Sequence, residues 1–166
     1  MLSSSLSTIH GFHTTYSTQI TTNHLADLAR CTCYLLHILP PRIFVDPHEL
    51  ANHRDFYTFR LSDKSNSELP VTAVDSKNSA LLLDVLLPKI FLPGTQNVTV
   101  DVPLHVRYGQ PVQLDAWDDG SVEVPWPTGF WVCPSSCTSY HATLVCCASQ
   151  SSLKHLDLPM RYRGCQ

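Results

Sequence analysis

The chain has 166 residues, of which 43% are hydrophobic and 15% charged, and this composition fits one globular domain that buries about 70% of its unfolded surface. Its formal net charge of −3 provides no attraction to nucleic acid or to an anionic membrane surface, so neither class of partner is expected. No run of about 18 apolar residues occurs, so the sequence predicts no transmembrane helix.

The first 33 residues are predicted to be a poorly structured lead-in. Ser, Thr and His dominate this segment, and its apolar residues fall at irregular spacings. One short helix is expected over residues 23–30. The segment does not resemble a signal peptide, because its first Lys or Arg is Arg30.

Residues 34–147 carry the pattern of an all-β domain. In the strongest segment, residues 98–108, apolar and polar side chains alternate without exception. Pro103 removes a backbone donor within it, which predicts a strand at a sheet edge or at a bulge. Further short strands are predicted over residues 56–61, 69–74, 80–87, 130–133 and 143–147, and a hairpin over residues 112–124. This spacing predicts an antiparallel β-sandwich or open barrel, followed by an irregular tail over residues 148–166.

A short capped helical turn is predicted within this domain. Asp46 is a favourable N-cap, Pro47 suits the first helical position, and Glu49 stands three residues after Asp46, as in a capping box. The same stretch contains His48 and His53. These histidines are five residues apart, whereas the zinc-protease helix has them four apart, so we interpret the stretch as a capped turn.

Seven cysteines are many for a chain of this size and favour an oxidising compartment. Cys133, Cys137 and His141 suggest a zinc site, but their spacing is looser than that of a C-x-x-C pair. Disulfides or buried thiols are the preferred interpretation. Asn97 and Thr99 form an N-glycosylation sequon, which agrees with the same compartment.

The sequence contains no signature of a catalytic or cofactor-binding site. There is no G-x-S-x-G, no P-loop, and no G-x-G-x-x-G after a strand. No catalytic residue, metal or cofactor is therefore expected. His105 and Arg107 share the outward face of the strongest strand, where they either bind an anion or a partner or are simply solvated.

Two blocks of the sequence resemble the PIG-X family. The first, residues 39–50, is similar to the family's Leu-Pro-x-Gly-hydrophobic-hydrophobic-Val/Ala-Asp-Pro-Tyr/Phe-Glu-Leu signature, and the second, residues 102–108, to its Pro-Leu-His-x-Arg-Tyr block. An acidic-Leu-Pro element, residues 68–70, lies between them. Arg42 and His48 depart from the pattern. The matching positions are Pro40, Val45, Asp46, Pro47, Glu49, Leu50, Pro103, Leu104, His105, Arg107 and Tyr108.

This resemblance implies a function that the residues alone do not. Proteins of the family are type I membrane proteins of the endoplasmic reticulum with a lumenal β-rich domain. They form the non-catalytic, stabilising subunit of glycosylphosphatidylinositol (GPI) mannosyltransferase I, whose catalytic partner PIG-M transfers the first mannose of the anchor. The family's leader and carboxy-terminal membrane helix are not recognisable in these 166 residues, as expected of an incomplete chain or of a soluble variant.

The resemblance directs attention to the strongest strand as a partner surface. We expect Asp101, His105 and Arg107 to contact the partner through side chains or by strand addition, and the capped turn to be a fold element. Two other functions stay open. One is a soluble lumenal or secreted β-sandwich that binds carbohydrate or peptide, and the other is a hydrolase that uses His105 or Asp101.

Overall fold

The computed structural model describes residues 1–7, 12–22, 28, 30–62, 69–74, 76–87, 95–107, 122–133 and 143–147, the last five by their backbone alone. Its strands, in chain order, are β1 (Leu2–Leu6), β2 (His13–Thr22), β3 (Thr32–Leu39), β4 (Ile43–Phe44), β5 (Tyr57–Leu61), β6 (Ser79–Val85), β7 (Gln96–Val106), β8 (Thr128–Cys133) and β9 (Thr143–Cys147). One α-helix, α1, spans Pro47–Ala51, and a 3₁₀ turn spans Val71–Ala73. No helix in the described part of the chain is long and apolar enough to cross a membrane.

The strands form two antiparallel sheets that pack face to face. The first has the order β1-β2-β7-β4 and the second the order β5-β6-β3-β8-β9. The prediction of a mainly antiparallel β domain with one short capped helical turn is therefore confirmed, in the sandwich form.

Two predictions of local structure are wrong. Residues 2–6 and 13–22 are paired strands of the first sheet, not an unstructured lead-in. Their inward face includes Thr14 and Thr18 as well as Tyr16, so the period-2 pattern is hidden when only apolar residues are counted.

Residues 69–74, predicted as a strand, contain the 3₁₀ turn instead. Pro70 precedes this turn with a φ of −67° and lacks the N–H that a strand ladder needs. Of the predicted hairpin, residues 122–124 have no regular structure and residues 112–120 lie outside the described residues, as do the tail and most of the predicted helix at residues 23–30.

The core fills the space between the two sheets. Leu35, Leu81 and Leu83 of the second sheet are fully buried, and Val102 and Leu104 of the first face them. Aliphatic and aromatic side chains from both inner faces complete one continuous cluster. The alternation that predicted the strands therefore reflects burial against the opposite sheet.

A disulfide joins Cys31 to Cys133. Cys31 directly precedes Thr32 and Cys133 directly follows Val132, and these two neighbours are paired in the ladder between β3 and β8, so the bond links neighbouring strands. It closes a separation of 102 residues, and such a constraint on the unfolded chain contributes roughly 4–5 kcal/mol to stability. Cys33 is buried and belongs to the core cluster. The expected disulfide is thus present.

His37 places an imidazole in the core. Its ring meets that of Tyr16 edge-on, with 5.4 Å between ring centroids, and its Nε2 has no hydrogen-bond partner among the described residues. Burial lowers the pKa of His37 to about 4, because the protonated ring loses its hydration. The native state therefore holds this histidine neutral.

We expect stability to fall as the pH drops from 6.5 towards 4, because in that range the unfolded chain binds a proton at His37 that the folded chain excludes. Between pH 7.5 and pH 5 the free energy of unfolding attributable to this residue should decrease by about 2 kcal/mol, as measured by urea denaturation. His37→Leu should remove this dependence. The exposed His48 serves as the control, and H48A should retain it; an unchanged pH slope in H37L would contradict the assignment.

Candidate functional site

The two sequence blocks meet at one end of the first sheet. β4 pairs with the end of β7, with Ile43 opposite Val106 and Phe44 opposite His105. The chain then enters α1, where the side chain of Asp46 accepts a hydrogen bond from the His48 N–H at 2.8 Å. The predicted N-cap is thereby confirmed.

The buried residues of the first block anchor this end of the sandwich. Val45 and Leu50 are both essentially inaccessible and belong to the core cluster. The short helix therefore contributes apolar surface to the core while its opposite side faces solvent, where Pro47 and His48 are exposed.

Arg107 connects three segments that are distant in sequence. Its Nε donates to the Pro41 carbonyl at 3.1 Å, and its Nη1 donates to the Leu69 carbonyl at 2.8 Å. The guanidinium lies over the Phe44 ring, 4.6 Å from its centroid, and the Arg107 backbone N–H donates to the Arg42 carbonyl. Residues of the first resemblance block and of the element between the blocks thus all contact the guanidinium of Arg107, which belongs to the second block.

The prediction that Arg107 is an outward partner contact conflicts with its burial. The residue is 3% exposed, because β4 and the segment at residues 69–70 contribute the groups that enclose its side chain. Arg107 directly follows β7, and alternation along that strand could not indicate that other segments cover this end of it. Arg107 is a structural residue in this fold.

His105 lies in a row of rings across three strands. His13 of β2 contacts it edge-on at 4.4 Å between centroids, and Phe44 of β4 stacks on it at 4.9 Å. Its Nε2 is 2.6 Å from Oε2 of Glu49 in α1, and its side chain is only 14% exposed. Glu49, predicted to complete a capping box, instead hydrogen-bonds to this imidazole; when the ring is protonated the contact is an ion pair.

Asp101 is the exposed member of the predicted contact set. Its backbone carbonyl accepts a hydrogen bond from the Tyr57 hydroxyl at 3.1 Å, which ties the two sheets together at this side. Burial, followed by the nearby charges of Asp101 and Glu49, raises the pKa of the Tyr57 phenol, so the hydroxyl stays a donor.

The side of β7 away from β2 is only partly paired among the described residues. The Val106 N–H donates to Phe12 on the β2 side, whereas the Arg107 N–H donates to Arg42 on the β4 side. Successive backbone groups point to opposite edges, so odd-numbered residues of β7 point towards the β4 side. β4 pairs only with residues 105 and 106, so Pro103 and Asp101 lie beyond it. β7 lies between β2 and β4 in the sheet rather than at its edge, but no described strand pairs with this side of β7 at Pro103, so its missing N–H leaves no described ladder bond unmade.

The structure does not support a metal site at the other residues considered in the sequence. Cys133 is used in the disulfide, and Cys137 and His141 lie outside the described residues. His53 stacks on Tyr57 after the end of α1. Within the described ranges no three metal-ligating side chains form a group that could hold an ion.

Comparison with known proteins identifies the family of the chain. The family model described as PIG-X / PBN1 matches residues 9–159, which is most of the sequence. The chain belongs to the PIG-X/PBN1 family. No solved structure matches it.

Similar proteins of this family occur in fungi. Protein pbn1 of Neurospora crassa is 31% identical over 111 residues, which are 63% of this chain and 21% of that protein. Protein PBN1 of Yarrowia lipolytica is 26% identical over 113 residues, 62% of this chain and 21% of that protein. The chain therefore spans about a fifth of the length of these relatives.

Membership of the PIG-X/PBN1 family gives the resemblance blocks a structural meaning. Most of their matching positions that the structure describes are buried or hydrogen-bonded at the β4–α1–β7 junction; Tyr108 lies outside the described residues. The contacts between Glu49 and His105, and between Arg107 and Leu69, were not predicted. The sequence indicated these contacts only indirectly, because the blocks that contain the contacting residues occur together in one chain.

We expect Arg107→Lys to destabilise the fold by about 2–3 kcal/mol, because one ammonium cannot reproduce a planar fork that reaches two carbonyl groups and lies on Phe44. The free energy of unfolding from urea titration measures this. Arg60 of β5 is exposed, so Arg60→Lys is the matched control and should change stability by less than about 0.5 kcal/mol. Equal effects of the two substitutions would show that the Arg107 contacts are unimportant.

Proposed function

We propose that this chain forms the lumenal β-rich part of the non-catalytic, stabilising subunit of GPI mannosyltransferase I in the endoplasmic reticulum. The observation that carries the proposal is the match to the PIG-X/PBN1 family over residues 9–159. The folded β-sandwich with a disulfide supports it, because a disulfide persists in an oxidising lumen. The partner in this proposal is the catalytic mannosyltransferase PIG-M.

The mechanism is stabilisation by binding. A subunit that binds the folded partner in preference to its unfolded form raises the partner's stability by mass action. Such a role needs a surface rather than a reactive group. The exposed Asp101 and the partly paired side of β7 provide a candidate surface, and strand addition is a contact mode that uses backbone groups of this kind.

His105 and Arg107 have different places in this proposal from Asp101. His105 is largely covered by Phe44, His13 and Glu49, and it contributes to a contact only through its exposed edge. The Arg107 side chain is enclosed and shapes the surface from beneath. Asp101 is therefore the residue of the three at which a partner contact is best tested.

The proposal predicts rescue of cells that lack PIG-X. The full chain, given a leader and a membrane anchor, should restore GPI-anchored proteins at the cell surface and should co-purify with PIG-M. Flow cytometry and affinity purification provide the two measurements. If a well-expressed protein achieves neither, the chain does not perform this role.

Two substitutions at Asp101 separate the modes of contact within the same assay. Asp101→Pro removes the backbone N–H on the partly paired side of β7, whereas Asp101→Asn keeps it and removes only the side-chain charge. Loss of PIG-M in D101P with retention in D101N supports strand addition. If D101N also loses PIG-M, the contact is made by the Asp101 carboxylate.

Asn97 is proposed as an N-glycosylation site. It is exposed near the start of β7, as is Thr99 of the same sequon. The protein expressed in the secretory pathway should shift in gel mobility after treatment with an N-glycosidase, and Asn97→Gln should abolish the shift. Asn78 is also exposed, but Ala80 stands two residues after it, where a sequon requires Ser or Thr. Asn78→Gln is therefore the control and should leave the mobility shift unchanged.

A soluble β-sandwich that binds carbohydrate or peptide is the second candidate. One observation favours it: a small pocket lies beside the His105 row. Ligand binding by the isolated chain in the absence of any association with PIG-M would favour this function over the first.

A further inference from the structure

A pocket of about 220 Å³ lies at the end of the first sheet that carries His105. Its walls are formed by Ser7 after β1, by His13, Thr14 and Thr15 of β2, by Glu49 of α1, and by Pro103 and Leu104 of β7. This volume is below the range of about 300–1,000 Å³ typical of sites for drug-sized molecules. The pocket therefore has room for one small chemical group or one sugar ring.

The hydroxyl protons of Ser7 and Thr14 are used in hydrogen bonds within the protein. Thr14 Oγ1 donates its proton to the Ser7 carbonyl at 3.0 Å. In the 3.3 Å contact between the two side chains either hydroxyl can be the donor, and with the Thr14 proton on the Ser7 carbonyl the donor is Ser7, because a hydroxyl has a single proton. Ser7 Oγ also accepts a hydrogen bond from the Thr15 N–H at 2.8 Å. Both hydroxyl oxygens can therefore offer a ligand only lone pairs.

The carboxylate on the other wall has the same character. Oε2 of Glu49 is bound to His105, and Oε1 has no hydrogen-bond partner among the described residues. Glu49 is 39% exposed, so its charge is accessible from solvent. A carboxylate and two hydroxyl acceptors thus line one small pocket, together with the ring of His13, whose centroid lies 4.4 Å from that of His105. A ligand that suits it donates several hydrogen bonds and carries a positive charge.

We propose that this pocket binds a primary ammonium group. An ammonium is compact, carries three donors, and matches a carboxylate together with two hydroxyl oxygens. An amino sugar and a lysine side chain both present this group. The inference goes beyond the proposed function, because it requires only this chain and not the mannosyltransferase.

Titration of the isotopically labelled full chain, followed by NMR, tests the site. The probes are glucosamine, with glucose as its neutral counterpart, and Nα-acetyl-lysine amide, with its ε-acetylated form as the counterpart. Each counterpart lacks the ammonium and is otherwise closely matched. We expect saturable shifts near Ser7 and Glu49 with a Kd on the order of millimolar for at least one ammonium probe. The probe that binds identifies the source of the ammonium.

Variants locate the binding. Glu49→Gln keeps the shape of the side chain and removes its charge, and it should weaken binding by about tenfold or more. Ser7→Ala removes one acceptor without touching α1 and should also weaken it. Glu123 is exposed and is not one of the pocket-lining residues, so E123Q should bind as the parent does.

The proposal is overturned by any of three results. Neutral counterparts that bind as well as the ammonium probes would show that charge is not recognised. Unaltered binding by both E49Q and S7A would place the ligand elsewhere. Absence of a response to either ammonium probe far above millimolar concentration would show that the pocket does not bind this group.

Discussion

The buried guanidinium of Arg107 is the contact on which one end of the sandwich depends. Its two carbonyl acceptors lie 66 and 38 residues away in the sequence, at Pro41 and Leu69. Burying a cation is unfavourable by several kcal/mol unless its donors are satisfied. The carbonyl groups and the Phe44 ring offset that cost, and they do so only when β4, the segment at residues 69–70 and β7 occupy their native places. The Arg107 contacts therefore stabilise the one arrangement in which all three segments are in their native places.

The sequence predicts local structure well where burial and periodicity agree. In β7, Val100, Val102 and Leu104 all face the opposite sheet, as the alternation indicated. In β2, two inward positions are threonines whose hydroxyls hydrogen-bond within the first sheet, Thr14 to Ser7 and Thr18 to Ser4. A polar residue can occupy a core-facing position when a neighbouring strand satisfies it, and that information is non-local. The spacing of apolar residues alone therefore does not predict the amino-terminal strands.

At the candidate site, too, the pattern of a single strand does not predict contacts with distant segments. Single-strand alternation predicts that His105 and Arg107 point outward, but the His105 side chain is only 14% exposed and Arg107 is buried. What covers the outward face, however, comes from β4, α1 and residues 69–70, whose packing cannot be read from β7 alone. The resemblance blocks contained this information indirectly, because residues that meet in the fold occurred together in the sequence. Their shared role is to build the junction, and Asp101, which is exposed, lies outside the matching positions.

The first sheet therefore separates structural and surface roles along β7. Asn97, Asp101 and His105 stand four residues apart on the same face, which corresponds to about 13 Å per interval along a strand. A glycan on Asn97 would project from that face, whereas a strand added to β7 would approach in the plane of the sheet. The two directions are perpendicular, so glycosylation and strand addition are sterically compatible. The pocket begins only two residues beyond Asp101, where Pro103 and Leu104 line it, and it extends to Glu49, whose carboxylate reaches His105.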